Sequence, residues 1–167
     1  MVSLVLTKES YERICVQALA EYQQGECCGI LTIGAEGGAS QVHSCENIQN
    51  KMHAEDPEEF PRTTLNAYLI DAGEQYRILS AAEKAGGGVS GFYHSHVDCP
   101  AYFSDEDKAR ALFGDEPAYP EAAYLVIAVY GPRSEPKRDE PVVEGYKGFA
   151  WDEGRQDYVE VAVDLLG

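Results

Sequence analysis

Positive charge is what this sequence has least of: 13 Lys and Arg stand against 29 Asp and Glu, a formal net charge of −16. A nucleic-acid backbone is bound by a basic face, so this deficit argues against DNA or RNA as a partner. No apolar run approaches roughly 18 residues, and no basic leader precedes an apolar stretch. Neither a membrane span nor a signal peptide is therefore readable, and the expected location is the cytoplasm. No CxxC pair occurs, which removes a structural thiolate zinc site. The five cysteines are an odd number; Cys15, Cys27, Cys28 and Cys45 sit in hydrophobic context and Cys99 in a loop, the pattern of reduced thiols and not of a disulfide scaffold. Histidine is scarce as well, with only four in 167 residues. What remains, 44% hydrophobic and 25% charged residues, suits one compact domain over residues 1–167.

Apolar periodicity organises the chain. "SLVLT" reads as a short strand, with Thr7 at an N-cap position before an amphipathic helix over 8–23 that carries Tyr11, Ile14, Cys15, Ala18, Leu19 and Tyr22 on one face and stops at Gly25. "ECCGILTI" is a continuous apolar run of strand length that starts with a charge, which puts Glu26 at the mouth of a buried strand. "GAEGGAS" is a turn into a partner strand, "QVHSCENI". Residues 50–63 are polar with two prolines and read as a loop, and a second helix follows with Leu65, Tyr68, Leu69, Ala72, Tyr76 and Leu79 on one face, ended by "AGGG". "VSGFYHSH" is a strand, Ser104 opens a short helix to about Phe113, and "AAYLVIAVY" suits a central strand buried on both faces. "VVEGYKGFAW" and "DYVEVAVDL" close the chain as a hairpin. Strands interspersed with helices predict an α/β class with a mixed central sheet flanked by helices.

One stretch concentrates chemistry: "GFYHSHVDCPAYFSDED", residues 91–107. Side chains alternate faces along a strand, so His94 and His96 project together and Ser95 the other way. Asp107 follows Ser104 by three residues and shares its helical face. Two histidines and one aspartate form a three-ligand set that leaves a fourth tetrahedral position for water, the arrangement of catalytic rather than structural zinc. Water there becomes acidic enough to hydrolyse an amide but still needs a base, and Glu26 is the glutamate placed to serve. Plainer readings stand beside this one. Ser104 and Asp107 also make a capping box for a helix, and each histidine alone is an ordinary strand residue.

Glu26, then His94-Ser95-His96, then seven residues, then Ser104 and Asp107 resembles the JAMM, or MPN-plus, metalloprotease family, and every position of that pattern is matched. The resemblance implies a cytidine-deaminase-like α/β/α fold and a zinc hydrolase of peptide or isopeptide bonds at the C-terminus of a ubiquitin-like protein. By position it makes His94, His96 and Asp107 the zinc ligands and Glu26 the general acid/base. Ser104 becomes the donor to the oxyanion, a role compatible with capping only if its hydroxyl is not committed to helix amides. The short connection "FGDEPAYPE" after the motif is similar to the small bacterial members, which act on sulfur-carrier proteins with a Gly-Gly tail, releasing a C-terminal cysteine or a short extension. "DPEEF" at 56–60 also resembles a segment of those members. An exposed edge beside the closing hairpin leaves room for a homodimer.

Three rival readings fit less well. "HSHVDC" is similar to the HxHxDH of metallo-β-lactamase-like hydrolases, which need further histidines downstream, and none follows His96. A two-histidine, one-carboxylate iron oxygenase orders its ligands differently, and His43 and His53 both precede the pair. A non-catalytic MPN scaffold for partner proteins would have to explain why all five motif positions are present.

Overall fold

The computed structural model describes residues 2–167. The chain opens as a strand, β1 (Leu4–Thr7), that runs directly into helix α1 (Lys8–Glu21), and the Thr7 hydroxyl accepts the Ser10 N–H at 3.0 Å as the expected N-cap. β2 (Cys28–Ile33) and β3 (Gln41–Cys45) form the expected antiparallel hairpin. Helices α2 (Gln49–Glu55) and α3 (Ala72–Lys84) then lead to β4 (Gly88–Val97), the strand that carries the paired histidines. Helix α4 (Asp105–Ala111) is followed by a small ribbon of β5 (Leu112–Phe113) and β6 (Glu116–Pro117). The long apolar strand β7 (Ala123–Tyr130), then β8 (Val142–Asp152), β9 (Asp157–Val161) and β10 (Val163–Leu166), complete the chain.

Among the described residues the main sheet has six strands in the order β3-β2-β4-β7-β8-β9, and β1 pairs separately with β10. β4 lies parallel to β7 and antiparallel to β2, so the sheet is mixed and the histidine strand is central, as the expected α/β class requires. Strand alternation splits the core into two layers. Ala123, Leu125, Ile127 and Val129 of β7 face α1, where they pack with Leu6, Ile14, Ala18 and Leu31. Tyr124, Val126 and Ala128 face the other way, towards Ile78 and Leu79 of α3 and Ala111 of α4.

Two segments depart from the sequence reading. Residues 49–55, expected to be loop for most of their length, form α2; Pro57 lies beyond its end and does not interrupt it. The helix expected from Leu65 starts only at Ala72, where the Asp71 carboxylate accepts the Glu74 N–H at 3.1 Å. Residues 64–66 form a turn, and residues 67–69 after it are held from outside. Asn47 donates to the Ala67 carbonyl at 3.1 Å and accepts the Leu69 N–H at 3.1 Å, while Ile48 N–H donates to the Leu69 carbonyl at 2.9 Å. With their backbone groups taken by another segment, residues 67–69 have no use for a helical ladder. No helix among the described residues is long and apolar enough to cross a membrane.

Candidate metal centre

The parity of β4 sends Phe92, His94 and His96 to the face of α3 and α4, and Tyr93 and Ser95 to the face of α1. His94 and His96 are almost fully buried, at 0% and 2% exposure. Their chain then loops back to α4, whose first turn delivers Asp107. Its Oδ1 lies 3.1 Å from His94 Nε2 and its Oδ2 3.2 Å from His96 Nε2. The sequence-predicted ligand set is thus brought together, each residue offering one atom within 4.8 Å of the others.

α4 is placed by the capping box foreseen in its sequence. Ser104 Oγ accepts the Asp107 N–H at 3.1 Å, and Asp107 Oδ2 accepts the Ser104 N–H at 3.0 Å. The condition set on Ser104 is not met as stated, because its hydroxyl oxygen is committed to a helix amide; it does so as an acceptor, however, and the hydroxyl proton is left to donate elsewhere.

Glu26 stands two residues before β2, and its backbone is fixed from both sides. Its N–H donates to the Thr64 carbonyl at 2.7 Å and its carbonyl accepts from Asn47 Nδ2 at 2.8 Å. Gly25 precedes it at φ +130°, where a Cβ would overlap the Thr64 carbonyl, so this close approach requires glycine. The strand register to the histidines is extended one step by Ser95, whose Oγ accepts the Cys27 N–H at 2.8 Å while its own N–H donates to the Cys27 carbonyl at 3.1 Å.

The donor chemistry fits a divalent ion. Two imidazoles and one carboxylate are the donor types of a three-ligand zinc site, and one such atom from each lies within 4.8 Å of the others. His96 Nδ1 lies 2.8 Å from the Pro100 carbonyl, which can only accept; Nδ1 therefore carries a proton, and Nε2 is the nitrogen turned to the centre, able to offer a lone pair once a cation displaces its proton. Both ring nitrogens of His94 and Oε1 of Glu26 are buried without an aligned hydrogen-bond partner, an arrangement that is costly unless something else satisfies them.

The electrostatics point the same way. Burial would raise Asp107, but the two imidazoles, His94 first, hold it well below the usual carboxylate range. Burial lowers His94, and it would lower His96 too, but the hydrogen bond to Asp107 leads the contacts that lift His96 to about 11. The cluster therefore favours a positive charge between these groups, in the place where a cation would sit. Burial pushes the Glu26 carboxyl up to about 8, opposed by the charge on His96 and reinforced by that on Asp107. A carboxyl so placed can take up and return a proton near neutral pH.

The family described as prokaryotic homologs of the JAB domain matches residues 7–139. The chain belongs to that family. The match to the prokaryotic JAB family takes in Glu26, His94, His96, Ser104 and Asp107 and ends before the closing hairpin. A curated relative, a desampylase of Haloferax volcanii, is 33% identical over 106 residues, a match that covers 64% of this chain and 64% of the relative. Two proteins with solved solution structures share the fold. One, from Desulfitobacterium hafniense, is 24% identical with a TM-score of 0.63 over 97% of this chain and 92% of its own; the other, from Salinibacter ruber, is 21% identical with a TM-score of 0.56 over 99% and 91%.

Three residues around this JAB-family site escaped the sequence reading. Asn47 joins Glu26 to the segment at Ala67 and Leu69, and its Oδ1 also accepts the Gln49 N–H at 3.0 Å. Tyr68, read as one apolar position of a helix, instead stacks on His94 with ring centroids 4.5 Å apart. Tyr102 meets His96 edge-on at 5.0 Å. An asparagine near the end of the strand read over 41–48 was the one available hint, since that side chain commonly substitutes for backbone partners in turns.

Proposed function

We propose that this chain is a zinc-dependent hydrolase that cleaves a peptide or isopeptide bond at the C-terminal Gly-Gly tail of a ubiquitin-like or sulfur-carrier protein. The observation that carries the reading is the convergence of His94, His96 and Asp107 beside Glu26, a buried carboxyl with an unpartnered oxygen. The desampylase of H. volcanii among its relatives supports a ubiquitin-like substrate. His94 and His96 through nitrogen and Asp107 through oxygen would hold the ion, a donor set that suits zinc. When bound, the ion supplies Lewis acidity, polarising the scissile carbonyl and making water a nucleophile near neutral pH.

The chain's own residues do the rest. Glu26 takes the proton released by the attacking water on its carboxylate and returns it to the departing amine. Ser104 directs its free hydroxyl proton at the oxygen on which negative charge develops. Tyr68 and Tyr102 fix the imidazole planes by stacking and edge contact.

The test compares wild type with Glu26→Gln, both zinc-loaded, on a ubiquitin-like protein extended beyond its Gly-Gly tail, with products read by mass spectrometry. Glu26→Gln is expected to keep stoichiometric zinc and to lose turnover by about 10² or more. Undiminished turnover in that variant would overturn the assignment of Glu26. A zinc-loaded wild type that cleaves neither extended nor lysine-linked substrates would return the chain to the scaffold reading.

A further inference from the structure

The strand of the histidines ends in an unusual turn. Asp98 follows Val97 with φ at +59°, in the left-handed region that side chains other than glycine, asparagine and aspartate rarely adopt. That turn folds Cys99 and Pro100 back over the strand end, which is how the Pro100 carbonyl comes to face His96 Nδ1 at 2.8 Å.

The Asp98 carboxylate holds the turn to two other parts of the fold. Tyr22 Oη lies 2.8 Å from each of its oxygens, and the Gly131 N–H donates to Oδ1 at 3.0 Å. Arg133 completes the cluster, with Nε 3.7 Å from Oδ2, its backbone N–H donating to Tyr22 Oη at 3.2 Å and its guanidinium 4.4 Å from the centre of the Tyr22 ring. Tyr22 is itself 1% exposed and caps the end of α1, from which three residues lead to Glu26. One carboxylate thus anchors both arms of the centre: His96 two residues before it and Glu26 four residues beyond its tyrosine partner.

Resting on the metal-centre reading above, we propose that Asp98, through Tyr22, is a positioning residue for this site: it holds the turn that keeps Pro100 on His96 and sets the place of Glu26. Neither residue touches the ion or substrate. A ring held by its second nitrogen binds metal in one tautomer and one orientation, and loss of such a partner weakens binding by roughly 10- to 100-fold.

The experiment uses the full chain and the metal alone. Zinc affinity is measured by competition with a chelating dye, and the visible spectrum of the cobalt(II) form reports the coordination geometry. Asp98→Gly removes the carboxylate but keeps a residue at ease with positive φ, Asp98→Asn keeps an Oδ1 acceptor for Tyr22 and Gly131, and Tyr22→Phe removes only the hydroxyl. Ile14→Val, a core change remote from the turn, controls for loss of stability. The expected result is zinc affinity about tenfold or more weaker and an altered cobalt spectrum in Asp98→Gly and Tyr22→Phe, with Asp98→Asn close to wild type. Unchanged affinity and spectrum in Asp98→Gly would overturn the proposal while leaving the metal centre intact, and so would a loss no greater than Ile14→Val shows at matched thermal stability. A wild type that binds no metal would overturn the metal-centre reading and this inference with it.

Discussion

Helices α1 and α3 cover opposite faces of one sheet, yet they are held in different ways. α1 buries Ile14 and Ala18 against an aliphatic layer of Leu6, Leu31, Leu125, Ile127 and Val129. α3 buries no residue fully, and the layer beneath it is aromatic, with Tyr68, Phe92, Phe103, Tyr124, Phe149 and Tyr158. Aliphatic packing contributes stability in proportion to the area it buries and is indifferent to direction. Aromatic rings and side-chain amides are directional, and on the α3 face they orient imidazoles and pin backbone segments. The α1 side thus closes by aliphatic packing, while the α3 side combines aromatic packing with a cluster of buried polar groups whose geometry matters more than its area.

That division can be broken from either side. Asp107→Ala should have the largest effect: it removes a carboxylate facing both imidazoles, and zinc should no longer be stoichiometric by elemental analysis. If zinc stays at one per chain, Asp107 is a capping residue and no more. Ile14→Ala tests the aliphatic side and should cost about 2–5 kcal/mol in denaturant unfolding, with the metal content of the folded protein unchanged. Asn47→Ala sits between the two. Losing its bonds to Glu26, Ala67 and Leu69 should cost about 1–3 kcal/mol and, unlike Ile14→Ala, should lower turnover more than stability, read as kcat against unfolding midpoint. Lys108→Ala should do least. Its 2.9 Å pair with Asp157 is solvent-exposed, worth under about 1 kcal/mol, so unfolding in low and high salt should nearly coincide with wild type.

The same contrast governs what could be read in advance. The α1 side was legible because its signals are local: helical spacing from Tyr11 to Tyr22, Thr7 as cap, and an unbroken apolar β7. The candidate metal ligands were legible for a similar reason, since strand alternation fixes His94 and His96 and the capping box fixes Asp107 against Ser104. The segment from Gln49 to Ile70 was not. Its apolar residues happen to recur at helical spacing, but Asn47 claims the backbone of Ala67 and Leu69 from twenty and more residues away, a competition no local pattern records. Tyr68 is buried as its spacing implied, but its partner is an imidazole and not the interior of a helix bundle.

The central claim is that His94, His96 and Asp107 hold a metal ion, and the most direct measurement is zinc per chain in purified wild type with His96→Ala prepared in parallel. About one zinc per wild-type chain, lost in the variant, is the expected result. A wild type that stays metal-free after zinc is supplied, or a variant that binds as much zinc as wild type, would contradict it.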